Sequence, residues 1–174
     1  MARGGEQIEN GAGMSLRFIR TSADTGGELL EMEATYEPNR VKPPEHFHPK
    51  QAEHFEILEG TMHAQVGGEK RELRSGDTLD IEAGVPHSMW NEGPERARTL
   101  WQTRPALRTE EFFETLFRIA REGDAAEQKP GALRTAVFAS EFRDEFRPTS
   151  PPAALQAVAV GVLAPIGHLL GRKA

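Results

Sequence analysis

Three histidines and one glutamate in this chain stand at spacings that could hold a metal ion. His46, His48 and Glu53 form the run H-x-H-x4-E-x6-G, which closes at Gly60. A second run starts at Gly76, passes Gly84 and Pro86, and ends with His87 and Asn91. On a strand, residues two apart point to one side, so His46 and His48 would face the same point. A strand returning after a short turn can bring the Glu53 carboxylate to that point. His87 must come from a different strand, reached through turns at Gly76 and Gly84, where glycine permits tight backbone geometry. Three imidazoles and a carboxylate suit one divalent transition metal ion per chain, and Fe, Mn, Ni, Cu and Zn all accept such ligands. Four protein ligands around a six-coordinate ion leave two adjacent positions for water, oxygen or substrate. A metal there could polarise a carbonyl or enolate, or lower the pKa of bound water to about 7. An H-x-H pair alone is commonly a surface accident. Here the pair, the carboxylate, the distant histidine and the glycines agree.

The elements that must carry these residues read as short strands. Residues 15–20 and 28–36 have strand character, with a turn at Asp24-Thr25-Gly26-Gly27 between them. Pro38-Asn39 and Pro43-Pro44 punctuate the approach to His46. Glu53, Phe55 and Ile57 share one strand face, and His54, Glu56 and Leu58 the other. Phe55 and Ile57 are therefore expected to form an apolar cavity wall beside Glu53. Met89 shares a face with His87 and is a further candidate for the cavity lining. Met62, Ala64 and Val66 alternate with His63 and Gln65 before a hairpin turn at Gly67-Gly68. His54 and His63 are expected to face away from the metal. Trp90 and Trp101 are read as core or interface anchors. No residue outside the metal set is singled out as catalytic; Gln102, Arg104 and Glu82 carry no distinguishing signal.

Composition narrows the function classes. The 174 residues are 37% hydrophobic and 28% charged, enough for one domain with a core and an appendage. A net charge of -6 disfavours nucleic acid as a partner. The absence of cysteine excludes disulfides, iron–sulfur clusters, thiolate zinc sites and cysteine nucleophiles. Nucleotide-binding and serine-hydrolase motifs are missing. Residues 1–13 are Gly-rich and polar, read as a flexible arm without an apolar signal core, so a cytoplasmic location is expected.

The two runs, with their glycines and Asn91, resemble the motifs of the cupin family, specifically from Pro43 to Asn91. The resemblance implies an all-β, double-stranded β-helix or jelly-roll barrel. It also implies His46, His48, Glu53 and His87 as the metal ligands. One departure is Glu82, where the second motif usually has proline; that position is not a ligand. The expected layout is an arm over 1–13, a cupin barrel over 14–104 and a helical C-terminal extension over 105–174. Cupins commonly pair their barrels, so a homodimer is expected.

The extension is read as helical. Thr109 is a candidate N-cap, followed by Glu110 and Glu111 in the first turn. Phe112, Phe113, Leu116, Phe117 and Ala120 give an apolar face, and Gly123 a stop. A second helix is expected over 132–146, burying Leu133, Val137, Phe138 and Phe142. The apolar stretch 153–171 is expected to pack on the barrel or a partner subunit, with membrane-surface contact as the alternative. This layout resembles a group of small bacterial single-barrel cupins. The leading expectation is dioxygenase-type oxidation of a small aromatic or enol substrate in the barrel. A Lewis-acid isomerase or cyclase and a non-enzymatic ligand-binding module are the alternatives.

Overall fold

A computed structural model describes residues 2–38, 42–122 and 131–171. The strands in chain order are β1 (Gln7–Glu9), β2 (Met14–Arg20), β3 (Leu30–Tyr36), β4 (His46–Phe47), β5 (Ala52–Glu59) and β6 (Thr61–Val66). They continue as β7 (Glu69–Arg74), β8 (Thr78–Ile81), β9 (His87–Trp90) and β10 (Ala97–Arg104). Then come α1 (Thr109–Glu122), α2 (Ala132–Glu141), β11 (Arg147–Pro148) and α3 (Ala153–Leu169). One sheet has the order β1-β2-β3-β10-β5-β8, the other β11-β4-β9-β6-β7, and every pairing is antiparallel.

The alternation in the sequence explains why the two sheets close on each other. Met62 and Ala64 of β6 are fully buried while His63 and Gln65, which alternate with them, are not. Leu79 and Ile81 of β8 are buried and Thr78 and Asp80 exposed. Ala97, Thr99, Trp101 and Thr103 of β10 all face inward. These inward rows meet Leu30, Met32, Phe55 and Ile57 in one core. Burial of a side chain of this size contributes about 1.5–3 kcal/mol, so the pattern fixes the strand register.

Several boundaries differ from the sequence reading. The segment expected to be a flexible arm is part of the sheet: Gln7, Ile8 and Glu9 pair with Arg17, Leu16 and Ser15. Its backbone groups are satisfied by β2, including a bond from the Gly5 N–H to the Phe18 carbonyl. Thr109 does not act as the expected cap; its hydroxyl accepts from Gln51 Nε2 at 2.7 Å and ties α1 to the barrel. The face of α1 buries Ile119 and leaves Ala120 exposed. Gly123 and Asn39 lie outside the described residues. The second helix stops at Glu141, not 146, because the chain then turns to form β11 against β4, pairing Arg147 with Phe47 and Pro148 with His46. The barrel thus takes a strand from the extension.

The apolar stretch after Pro152 is α3, which packs on α2. Contact is close at Gly167, where a Cβ would sit 2.7 Å from Val137 Cγ2. Leu155, Val158, Val162, Ile166 and Leu169 remain exposed on α3. Among the described residues, no helix is long and apolar enough to cross a membrane.

Candidate metal centre

The two sheets bring His46, His48 and His87 into one group, with Glu53 beside His48 and His87 but outside that group. His46 on β4 lies opposite His87 on β9, so one sheet carries both. Glu53 comes from β5 of the other sheet, across the barrel. His48 follows β4 at the start of the turn into β5. That turn is pinned: the Gly84 N–H donates to the His48 carbonyl at 2.9 Å, with Gly84 at φ +81°. Only glycine adopts this conformation without strain. Gln51, buried beside it, donates to the Pro105 and Ala106 carbonyls. Asn91 closes the turn after β9 by donating to the Tyr36 and Glu95 carbonyls.

The ligand atoms of His46, His48 and His87 lie within 4.8 Å of one another, close enough to hold a metal ion. Each ring is oriented by a carbonyl. His46 Nδ1 contacts the Pro44 oxygen at 3.1 Å, His48 Nδ1 the Glu145 oxygen at 2.5 Å, and His87 Nδ1 the Val85 oxygen at 2.9 Å. A carbonyl only accepts, so Nδ1 carries the proton in all three, and each Nε2 of a neutral ring is a lone pair. Those lone pairs meet a carboxylate: His87 Nε2 is 2.9 Å from Glu53 Oε2, and His48 Nε2 is 3.3 Å from Glu53 Oε1. His48 Nε2 and Glu53 Oε2 are buried and have no hydrogen-bond partner. Acceptors facing acceptors in a buried space need a cation between them, a metal ion or a proton. The three histidines could therefore hold a metal ion, with the Glu53 carboxylate in contact with two of them, His48 and His87.

Electrostatics agree. Burial, with the neighbouring His87 and His48, pushes His46 down to about 4, so it is neutral at neutral pH. Burial opposes the charge on Glu53, but the histidines outweigh it and hold the carboxyl below its ordinary value. Burial likewise lowers His87, yet the Glu53 carboxylate outweighs it and leaves His87 raised. Without metal, Glu53 and His87 would share a proton as an ion pair.

The sequence reading missed several residues around the centre. Trp101 Nε1 donates to Glu53 Oε1 at 3.0 Å, so this tryptophan orients a candidate ligand as well as packing. The Phe146 ring stacks on His46 at 4.7 Å, and the Glu145 carbonyl orients His48; both come from the extension. Burial, with the Glu53 charge, pushes the Tyr36 pKa up, keeping it a phenol. Phe55, Ile57 and Met89 lie in or against the core inside the barrel, with Phe55 5.1 Å from the Trp101 ring. None of the three lines the cavity of about 500 Å³ that opens between β4, β11, α2 and α3. His54 is on the outer face with Asp80 at 2.7 Å, and His63 stacks on Trp90 at 5.9 Å.

The barrel has the cupin fold. Residues 32–103 match the cupin domain family model, and the chain carries a cupin domain in this region. Among solved structures, it is similar to an RmlC-like cupin from Shewanella frigidimarina, with a TM-score of 0.53 and 19% identity over 61% of this chain and 88% of that one. It is also similar to a predicted oxalate decarboxylase from Thermotoga maritima (TM-score 0.52, 19% identity, 60% of this chain and 98% of that one). KdgF from Halomonas sp. gives a TM-score of 0.50 at 15% identity, over 57% of this chain and 86% of that one. At these identities the likeness concerns the fold. No curated protein matches the sequence.

Proposed function

We propose that this protein is a metal-dependent cupin enzyme that oxidises a small aromatic or enol substrate with dioxygen. The observation behind it is that the ligand atoms of His46, His48 and His87 lie within 4.8 Å of one another, each ring fixed through Nδ1 by a carbonyl, with the Glu53 carboxylate beside His48 and His87. In this reading His46, His48, Glu53 and His87 hold one divalent transition metal. The metal would supply an electrophilic centre for the substrate oxygen and the means to reduce dioxygen. The protein's own part is orientation and exclusion of water. Trp101 fixes the Glu53 carboxylate, Phe146 covers His46, and Phe55 lies beside Trp101 in the core.

A second reading, Lewis-acid isomerisation or cyclisation, would use the same metal to polarise a substrate oxygen without dioxygen.

Elemental analysis of the purified protein and of His87→Ala tests the metal reading first. Near one equivalent of metal in the wild type, with most of it lost in a folded His87→Ala protein, is expected. Full metal content in the variant would overturn the ligand assignment. Oxygen uptake with enol and catechol-type compounds by the iron-, manganese-, copper- or nickel-loaded protein then separates oxidation from isomerisation. Turnover that continues without oxygen would support the second reading.

A further inference from the structure

The cavity of about 500 Å³ lies outside the barrel, walled by the chain's extension, and it has the makings of a ligand site. Its size is within the ~300–1,000 Å³ usual for small-molecule sites. Phe47, Phe146, Val160 and Ala164 form an apolar interior. The exposed side chains of Arg143 and Arg147 line it as well. No carboxylate lines it, in a chain whose net charge is -6. The nearby Asp144 carboxylate is engaged by Lys50 Nζ at 2.8 Å. The first residue of α3, Ala153, also borders the cavity, and a helix N-terminus adds partial positive charge.

Asp144 feels the charge of both arginines, but it is engaged by Lys50 and does not line the cavity, so an apolar interior rimmed by two guanidinium groups complements one kind of molecule. We infer that this cavity binds a small amphipathic carboxylate, an alkyl or aryl acid whose apolar body lies against Phe47, Phe146 and Val160 and whose carboxylate meets Arg143 and Arg147. Guanidinium forks match a carboxylate with paired hydrogen bonds. The site is separate from the metal centre and its test does not require metal. The two share a wall, since Phe146 stacks on His46 and also lines the cavity.

Gly161 makes the inference testable. It lines the cavity on α3, and a Cβ built there meets no atom within 4 Å. Gly161→Leu therefore fills the cavity without a backbone clash, and Gly161→Ala controls for the change in helix propensity. Calorimetric titration of the full-length protein with octanoate and with octan-1-ol is the experiment. Octanoate should bind the wild type and Gly161→Ala alike, and Gly161→Leu at least tenfold more weakly. Arg143→Gln combined with Arg147→Gln should weaken octanoate about tenfold and octan-1-ol less than twofold. The inference fails if octanoate does not bind at millimolar concentration. It also fails if Gly161→Leu keeps wild-type affinity, which would place the ligand on the exposed apolar residues of α3. Equal loss of octanoate and octan-1-ol in the arginine variant would refute the carboxylate assignment.

Discussion

Trp101→Phe separates a structural tryptophan from one that holds a metal ligand. The indole Nε1–H donates to Glu53 Oε1 at 3.0 Å, and both side chains are buried. Phenylalanine keeps an aromatic ring beside Phe55 and Phe113, which lie 5.1 and 5.2 Å from the present ring. What it removes is the donor. A buried oxygen left without its donor costs about 1–3 kcal/mol, more for a charged group. Outer partners of metal ligands independently account for about 10–100-fold in metal affinity. At about 1.4 kcal/mol per tenfold, that is about 1.4–2.8 kcal/mol, and the two routes agree. Competition with a chromophoric chelator, read at fixed pH on zinc- or manganese-loaded protein, should show a 10–100-fold weaker Kd. Near-UV circular dichroism checks that the barrel is intact. An affinity within threefold of wild type in a folded variant would refute the reasoning, because Glu53 would not then be a ligand oriented by Trp101.

Three other outcomes are expected. His54→Ala should leave metal content unchanged, since His54 pairs with Asp80 on the outer face; elemental analysis decides. Gly60→Ala should destabilise by about 2–3 kcal/mol, because Gly60 sits at φ +76° and a Cβ would lie 2.5 Å from the Arg96 carbonyl oxygen. Thermal melting should show a fall of roughly 4–12 °C. In metal-free protein, the Glu53–His87 pair should stabilise most between pH 4.5 and 6.5, their ordinary values. His87 is raised on folding, so its contribution is complete below 6.5 and is lost as pH rises through the folded value. Glu53 is lowered, so its contribution is complete above 4.5 and is lost as pH falls through the folded value. The stability difference from His87→Gln, measured by denaturant titration across pH, should peak in that window; a flat difference would exclude the pair.

His46, His48 and Glu53 are legible because they are local, and His87 because a second glycine-marked run ends on it. His46 and His48 sit two apart, and Glu53 and His87 follow recognisable turns, so short-range spacing encodes them. Strand faces were legible for the same reason, as at Met62 and Ala64 or Leu79 and Ile81. What surrounds the ligands was not. Trp101 reaches Glu53 from a strand 48 residues away, and Glu145 reaches His48 across 97. Such contacts leave no periodic trace, and the hydrogen of an indole looks like core packing until its partner is seen. The α2 boundary was misread because Phe142 and Phe146 continue a helical spacing. Their rings do pack with Phe112, but Phe146 does so from beyond the helix end. The arm was misread because Gly-rich, polar residues can still supply edge backbone to a strand.

The late strand β11 has a consequence for how the centre is assembled. Ribosomes add about 5–20 residues per second, so the carbonyl that orients His48 follows it by roughly 5–20 s. Until then the nascent barrel has every proposed ligand but not the partner that fixes one tautomer. β4 also stands as an open edge, which is where unwanted strand pairing begins. Arrival of residues 147–148 closes that edge and completes the ring orientations in one step. Maturation of the centre is thus timed by residues 145–148, which follow the barrel that houses it.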